Sequence, residues 1–208
     1  MKKGLLRFVT REFGNPGGLF GRFIGSRMAR GNVYDAKWTV SLLKIQPHQR
    51  ILEIGFGPGV STQMASEKAS QGFVAGIDHS KTMVRVASER NADAIRSGRM
   101  ELNQGEVASL PYADESFGIA FSLHSIYFWP NPVDCLKELR RVLRPGGVLA
   151  ITIQPKDKWK QAVDPIIMTL YSGADIASMF SGAGYRDIRV EVSPPEDKIF
   201  LECIRGAK

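Results

Sequence analysis

Three short stretches of this 208-residue chain combine side chains and backbone able to do chemistry. The first is Glu53-Ile54-Gly55-Phe56-Gly57-Pro58-Gly59. Glycines at alternate positions permit positive φ and let backbone N–H groups approach a ligand that a Cβ would fend off. The second is Asp78, 19 residues beyond Gly59, the usual separation for a carboxylate that takes both ribose hydroxyls of a nucleoside. Alone, the glycines serve a tight turn and the acid serves a helix cap; together they point to a nucleoside-containing ligand. The third is Leu123-His124-Ser125-Ile126-Tyr127-Phe128-Trp129-Pro130. His124 is either a proton acceptor working near neutral pH or a hydrogen-bonded structural histidine. Tyr127 either orients a substrate or joins Phe128 and Trp129 in a pocket wall.

These residues need elements to position them. From Arg50 onward, apolar runs alternate with helical patterns, which predicts a parallel sheet covered by helices. Strands are expected at Arg50–Ile54, Gly72–Ile77, Arg99–Gln104, Gly118–Leu123 and Val148–Ile153. Helices are expected at Val60–Ala69, from a Ser80 cap to about Arg96, and over Pro132–Leu143, the last stopped by Pro145-Gly146-Gly147. Tyr185–Val192 and Lys198–Ile204, joined at Ser193-Pro194-Pro195, make a final antiparallel pair. The glycine loop, Asp78 and His124 then all fall at the carboxyl edge of strands, where open α/β sheets bind ligands. Ahead of this body, residues 1–45 form a helical cap. Leu5, Phe8, Val9 and Phe13 make one helical face, Phe20, Phe23, Ile24 and Met28 another, and a third helix covers Tyr34–Leu43.

Nicotinamide and flavin enzymes want G-x-G-x-x-G, but here the order is G-x-G-x-G-V, with Val60 in the last slot and Glu53 two residues before the first glycine. This pattern resembles the E/D-x-G-x-G motif of the class I S-adenosylmethionine-dependent methyltransferases. The run from Gly105 to Gly118 (GEVASLPYADESFG) is similar to that family's segment between strands three and four. Leu139 to Leu149 (LRRVLRPGGVL) resembles its joint between helix and strand five. The likeness covers roughly residues 34–205. Glu106 and Gly118 depart from it, each standing where Asp is commoner.

The resemblance implies a Rossmann-like, doubly wound, seven-stranded mixed α/β sheet in the order 3-2-1-4-5-7-6, with the last strand antiparallel. It also implies roles. Gly55, Gly57 and Gly59 would pass backbone under the methionine part of S-adenosylmethionine, and Glu53 would brace the loop and attract the amino group. Asp78 would bind the ribose, His79 and Met83 one side of the adenine, and Glu106 and Val107 the other. Ser122, just past strand four, would offer its carbonyl to the amine, and Tyr34 would close over the carboxylate. Each has a plainer reading: Met83 as core, Glu106 as a solvated acid. The implied activity is methyl transfer to an oxygen, nitrogen, sulfur or carbon atom of a small-molecule acceptor. A nicotinamide-dependent oxidoreductase and a silent nucleoside-binding module are the alternatives.

Composition narrows the setting. With 43% apolar and 24% charged residues, a packed core forms without disulfides. Cys135 and Cys203 fit a reducing, cytoplasmic compartment, and no cluster has metal-ligand spacing. The longest uncharged run, Ser116–Val133, contains His124, Pro130, Asn131 and Pro132, so it does not read as a membrane span. Of the net charge of +7, residues 1–31 hold +6. That segment reads as a lid with Phe20, Phe23 and Met28 roofing the cleft, since Gly17, Gly21 and Gly25 suit close helix packing. Weak contact with an anionic membrane surface and a transit peptide are the other readings. The body lacks the charge and interleaved aromatics of a nucleic-acid binder. The oligomeric state is left open.

Overall fold

The computed structural model describes residues 3–159, 163–194 and 200–208, with the side chains of Leu19 and Phe20 excepted. Three helices lead the chain: α1 (Lys3–Gly14), α2 (Gly18–Gly31) and α3 (Val33–Leu42). The alternating body follows as β1 (Arg50–Ile54), α4 (Val60–Lys68), β2 (Phe73–Asp78), α5 (Lys81–Arg90), α6 (Ala92–Arg96), β3 (Met100–Gln104) and β4 (Phe117–Leu123). Then come α7 (Pro132–Val142), β5 (Leu143–Ile153), α8 (Gly173–Gly182), β6 (Arg186–Val192) and β7 (Glu202–Ala207). The sheet runs β3-β2-β1-β4-β5-β7-β6. Its first five strands are parallel, and β7 is antiparallel to both neighbours. The expected fold class and strand order are therefore what the chain adopts.

The central strands are mostly apolar because both faces are covered. Successive residues alternate sides. Leu52 and Ile54 join Leu136, Leu139 and Phe180 under α7 and α8, whereas Ile51 joins Val74, Phe121, Ala65 and Leu43 under α3 and α4. Helix α3 is tied to the sheet itself: Thr39 Oγ1 on α3 and Thr152 Oγ1 on β5 are hydrogen-bonded at 3.0 Å, both buried.

Several expected boundaries differ, each for a visible reason. The helix from Ser80 breaks at Asn91, whose buried side-chain amide donates to both Ala87 O and Gly59 O. Strand β5 begins at Leu143, not Val148; Phe117 pairs with Leu143 and Ile119 with Val148, so Arg144–Gly147 is a bulge inside the ladder. The last strand is Glu202–Ala207, starting four residues later than the expected Lys198–Ile204. Ser193 N–H donates to Leu201 O at 3.0 Å, closing a longer connection; Pro195 of the expected turn and Lys198 of the expected strand lie outside the described residues. In α1, Leu5 and Phe8 point outward at 55% and 50% exposure, while Thr10 turns in and its Oγ1 accepts from Asp164 N–H at 3.0 Å.

Helix α8 went unpredicted, although Ser172 and Asp175 form a reciprocal capping box at its start. Ser172→Ala should lower the urea midpoint by the equivalent of about 1 kcal/mol, with the slope unchanged. An unmoved midpoint would show that the box contributes nothing.

Candidate functional site

Strands β1 and β2 end side by side, with Gly55 N–H donating to Ile77 O at 2.8 Å. The loop beyond β1 holds Gly55, Gly57 and Gly59 at φ +69°, +52° and +76°. Two of these glycines make room for the protein itself. A Cβ on Gly55 would meet Ser125 at 2.3 Å, and one on Gly59 would meet Ala87 and Asn91 at 2.7 Å. Gly57 differs: no atom lies within 4 Å of its missing Cβ, and it lines a cavity. Bare main chain with open space above it is the condition a ligand-cradling loop must meet.

Two buried acids hold this loop. Glu53 accepts from Ser61 Oγ at 2.5 Å and Thr62 Oγ1 at 2.6 Å, fixing the first turn of α4 beneath the loop. Burial pushes its carboxyl up to about 7, against the pull of those two hydroxyls. Asp78 is nearly as buried; Oδ2 accepts from Gly57 N–H and Oδ1 from Ser80 N–H, both at 2.8 Å. Burial raises its pKa, and the two backbone donors oppose that rise.

The cavity measures about 430 Å³, within the range of small-molecule sites. Its floor comes from Glu53, Gly55, Gly57, Asp78 and Met83, and its outer side from His79, Glu106 and Val107. His79 Nδ1 and Glu106 Oε1 stand 3.0 Å apart on the exposed rim. The opposite wall is Leu123, His124, Ser125, Phe128 and Trp129. Residues Arg11, Phe13, Gly14, Asn15 and Pro16 roof it, with Met28 and Asn32 beside them. The roof is fastened by Ser80 Oγ, which donates to Pro16 O at 2.7 Å, and it rests where a Cβ on Gly14 would strike the Phe128 ring at 2.6 Å. Gly25 gives α2 the same intimacy with Met83, whose Cε lies 2.7 Å from its absent Cβ. Met83 is thus both core and cavity wall.

Most of the expected site residues meet in this one cavity; Gly59, Ser122, Tyr127 and Tyr34 do not. Ser122 lies inside β4 and is fully buried, and its neighbour Leu123 takes the wall position. Tyr127 faces inward, its OH donating to Gln154 O at 3.0 Å and accepting from Gln154 N–H at 2.7 Å, with burial raising its pKa. Tyr34 stands on α3 off the cavity, between Asn32 and Ala36, which line it. Phe23, expected in the roof, is 63% exposed on the outer side of α2. The sequence reading missed Ser125, whose Oγ bonds Ser122 Oγ, Ile54 O and Trp129 Nε1. It also missed Asp35, 2.7 Å from His124 Nε2. An acid one turn before Thr39 on the inward face of α3 was the available signal.

Among the described residues no group of three or more His, Cys, Asp or Glu is placed to hold a metal, and no helix is long and apolar enough to cross a membrane.

Residues 52–151 match the family model described as a methyltransferase domain. Over 167 residues the chain is 29% identical to an uncharacterized methyltransferase of Bacillus subtilis, covering 80% of this chain and 88% of that protein. It is 36% identical over 135 residues to demethylmenaquinone methyltransferase of Listeria monocytogenes, covering 60% of this chain and 55% of that one, so it spans little more than half of that relative. Its fold matches a solved S-adenosylmethionine-dependent methyltransferase of Aquifex aeolicus with a TM-score of 0.70 at 20% identity, over 96% and 97% of the two chains. Residues 52–151 therefore form a methyltransferase domain, and the fold is that of solved methyltransferases that depend on S-adenosylmethionine. The open cradle at Gly57 beside the Asp78 carboxylate suits that molecule.

Folded Glu53 holds its proton up to about pH 7, while the unfolded chain releases it near the ordinary carboxyl value of 4.5. Ionising it in place therefore costs stability that is absent below the lower value and fully felt above the higher one. Glu53→Gln should gain in melting temperature on the wild type as pH rises through that window. A gap that stays constant with pH would contradict the raised pKa.

Proposed function

We propose that this methyltransferase acts on a small aromatic acceptor with a ring hydroxyl, of the hydroquinone type. The single observation behind the reading is that one cavity, roofed by Phe13, joins the glycine loop and Asp78 to a wall of Phe128 and Trp129 that holds the His124 imidazole. The named relative that acts on demethylmenaquinone makes a quinone-type ring the first acceptor to test.

S-adenosylmethionine supplies an electrophilic methyl carbon on a sulfonium. The chain's part is to bind, align and keep water out. Asp78 accepts from the ribose hydroxyls with the lone pairs that Gly57 and Ser80 leave free; an ionised carboxylate has about four acceptor sites. Met83 and Val107 flank the adenine, with His79 and Glu106 at its polar edge. Gly55, Gly57 and Gly59 carry the backbone beneath the methionine part, and Glu53, once ionised above about pH 7, lends negative potential to the amino group. The aromatic wall positions the acceptor ring, and the roof from Arg11 to Pro16 excludes solvent. His124 takes the acceptor's proton.

Asp78→Ala should weaken binding of S-adenosylhomocysteine by ~1–3 kcal/mol, the scale for losing a charged hydrogen-bond partner. Calorimetry checks this, and an unchanged dissociation constant refutes the ribose role. Release of S-adenosylhomocysteine should be fastest with reduced quinone rings in a panel that also holds amines, thiols and carboxylic acids. Turnover confined to the non-aromatic acceptors would overturn the proposal.

A further inference from the structure

We infer that Asp35 and His124 act as a pair, with Asp35 the positioning residue and Nδ1 of His124 the atom that receives the acceptor's proton. The inference deepens the methyl-transfer reading above and rests on it.

His124 Nε2 lies 2.7 Å from Asp35 Oδ2. An ionised carboxylate can only accept, so Nε2 carries the hydrogen and Nδ1 keeps a bare lone pair. One residue braces both partners. Thr152 O accepts the backbone N–H of His124 at 3.0 Å, and Thr152 Oγ1 meets Thr39 Oγ1, one turn beyond Asp35 on α3, at the same distance. The Tyr127 ring lies nearly parallel to the imidazole at 6.3 Å.

What distinguishes the pair from a latch between α3 and the sheet is what it leaves undone. Nδ1 of His124 and Oδ1 of Asp35 are both buried without a hydrogen-bond partner among the described residues. Such atoms forfeit their hydration, and in native proteins they have a reason. His124 also sits at φ +58°, a region sparsely used by residues other than glycine. Unpaired nitrogen and strained backbone coincide at one residue of the cavity wall, and a latch needs neither.

The pair selects a class of acceptor. A base is required only when the nucleophile still carries its proton as it attacks. For a ring hydroxyl, the proton passes to Nδ1 and the O–H bonding pair is released into the ring system. The ring's oxygen or adjacent carbon closes the bond to the methyl carbon, and the carbon–sulfur pair stays on sulfur. The positive charge lost from the sulfonium reappears as imidazolium facing the Asp35 carboxylate.

Long-range proton–nitrogen NMR spectra of isotope-labelled chain, with the signals assigned by their loss in His124→Gln, read the tautomer directly. The wild type should show Nδ1 bare and Nε2 protonated. In Asp35→Asn the two tautomers should mix and the S-adenosylhomocysteine dissociation constant should hold. With a phenolic acceptor kcat should fall by roughly ten- to a hundredfold, and with an acceptor already ionised at the assay pH it should scarcely change. A wild-type signal for protonated Nδ1, or equal losses with both acceptors, overturns the inference. The spectra need no acceptor, so failure of the quinone-type reading would leave the tautomer to decide the pair on its own.

Discussion

Asp78 ends β2 with both carboxylate oxygens committed to main-chain donors, Gly57 N–H on one side and Ser80 N–H on the other. That buried anion fixes the path of the glycine loop and the start of α5 at once. Ser80, so placed, accepts from Met83 N–H as the cap of α5 and donates to Pro16 O with the same hydroxyl. Loop, helix and roof therefore converge on one side chain. Its burial raises the energy of the charged form, and the backbone donors offset part of that rise.

The strand pattern and the glycine loop were legible in the sequence because they obey local rules. Strands buried on both faces must be apolar, and positive φ in a loop favours glycine. Asp78 was legible because a parallel strand carries its last residue to the same edge as the loop before it. What stayed hidden depends on contacts distant in the chain. The Asp35–His124 pair spans 89 residues, and periodicity carries no record of it. Tyr127 lay in the right stretch but faces inward, because the turn at Ile126–Phe128 directs its hydroxyl to Gln154. The late start of β7 and the early start of β5 were hidden because a bulge and a long connection leave no composition signal. In α1 the apolar residues Leu5, Phe8, Val9 and Phe13 read as one helical face, and the sequence could not tell that Thr10, not Phe8, would turn inward.

The basic front of the chain combines two tasks on one stretch. Its inner side roofs the cavity through Phe13, Gly14 and Pro16, and its glycines allow the approach to Met83 and Phe128. Its outer side keeps Leu5, Phe8 and Phe23 in solvent. The glycine spacing that suggested close packing holds at Gly21 and Gly25, where a Cβ would strike Pro16 and Met83. At Gly17 nothing lies near, so that glycine serves the turn into α2 alone.

The left-handed backbone at His124 limits what evolution can put there. Glycine takes such a conformation freely and asparagine or aspartate with little strain, whereas valine, isoleucine and threonine are excluded by their branched Cβ. A lineage that lost the imidazole would most easily drift to Gly or Asn. It would keep the bend and the folded chain while surrendering the ring on the cavity wall, so descendants altered there would look intact by every measure of shape.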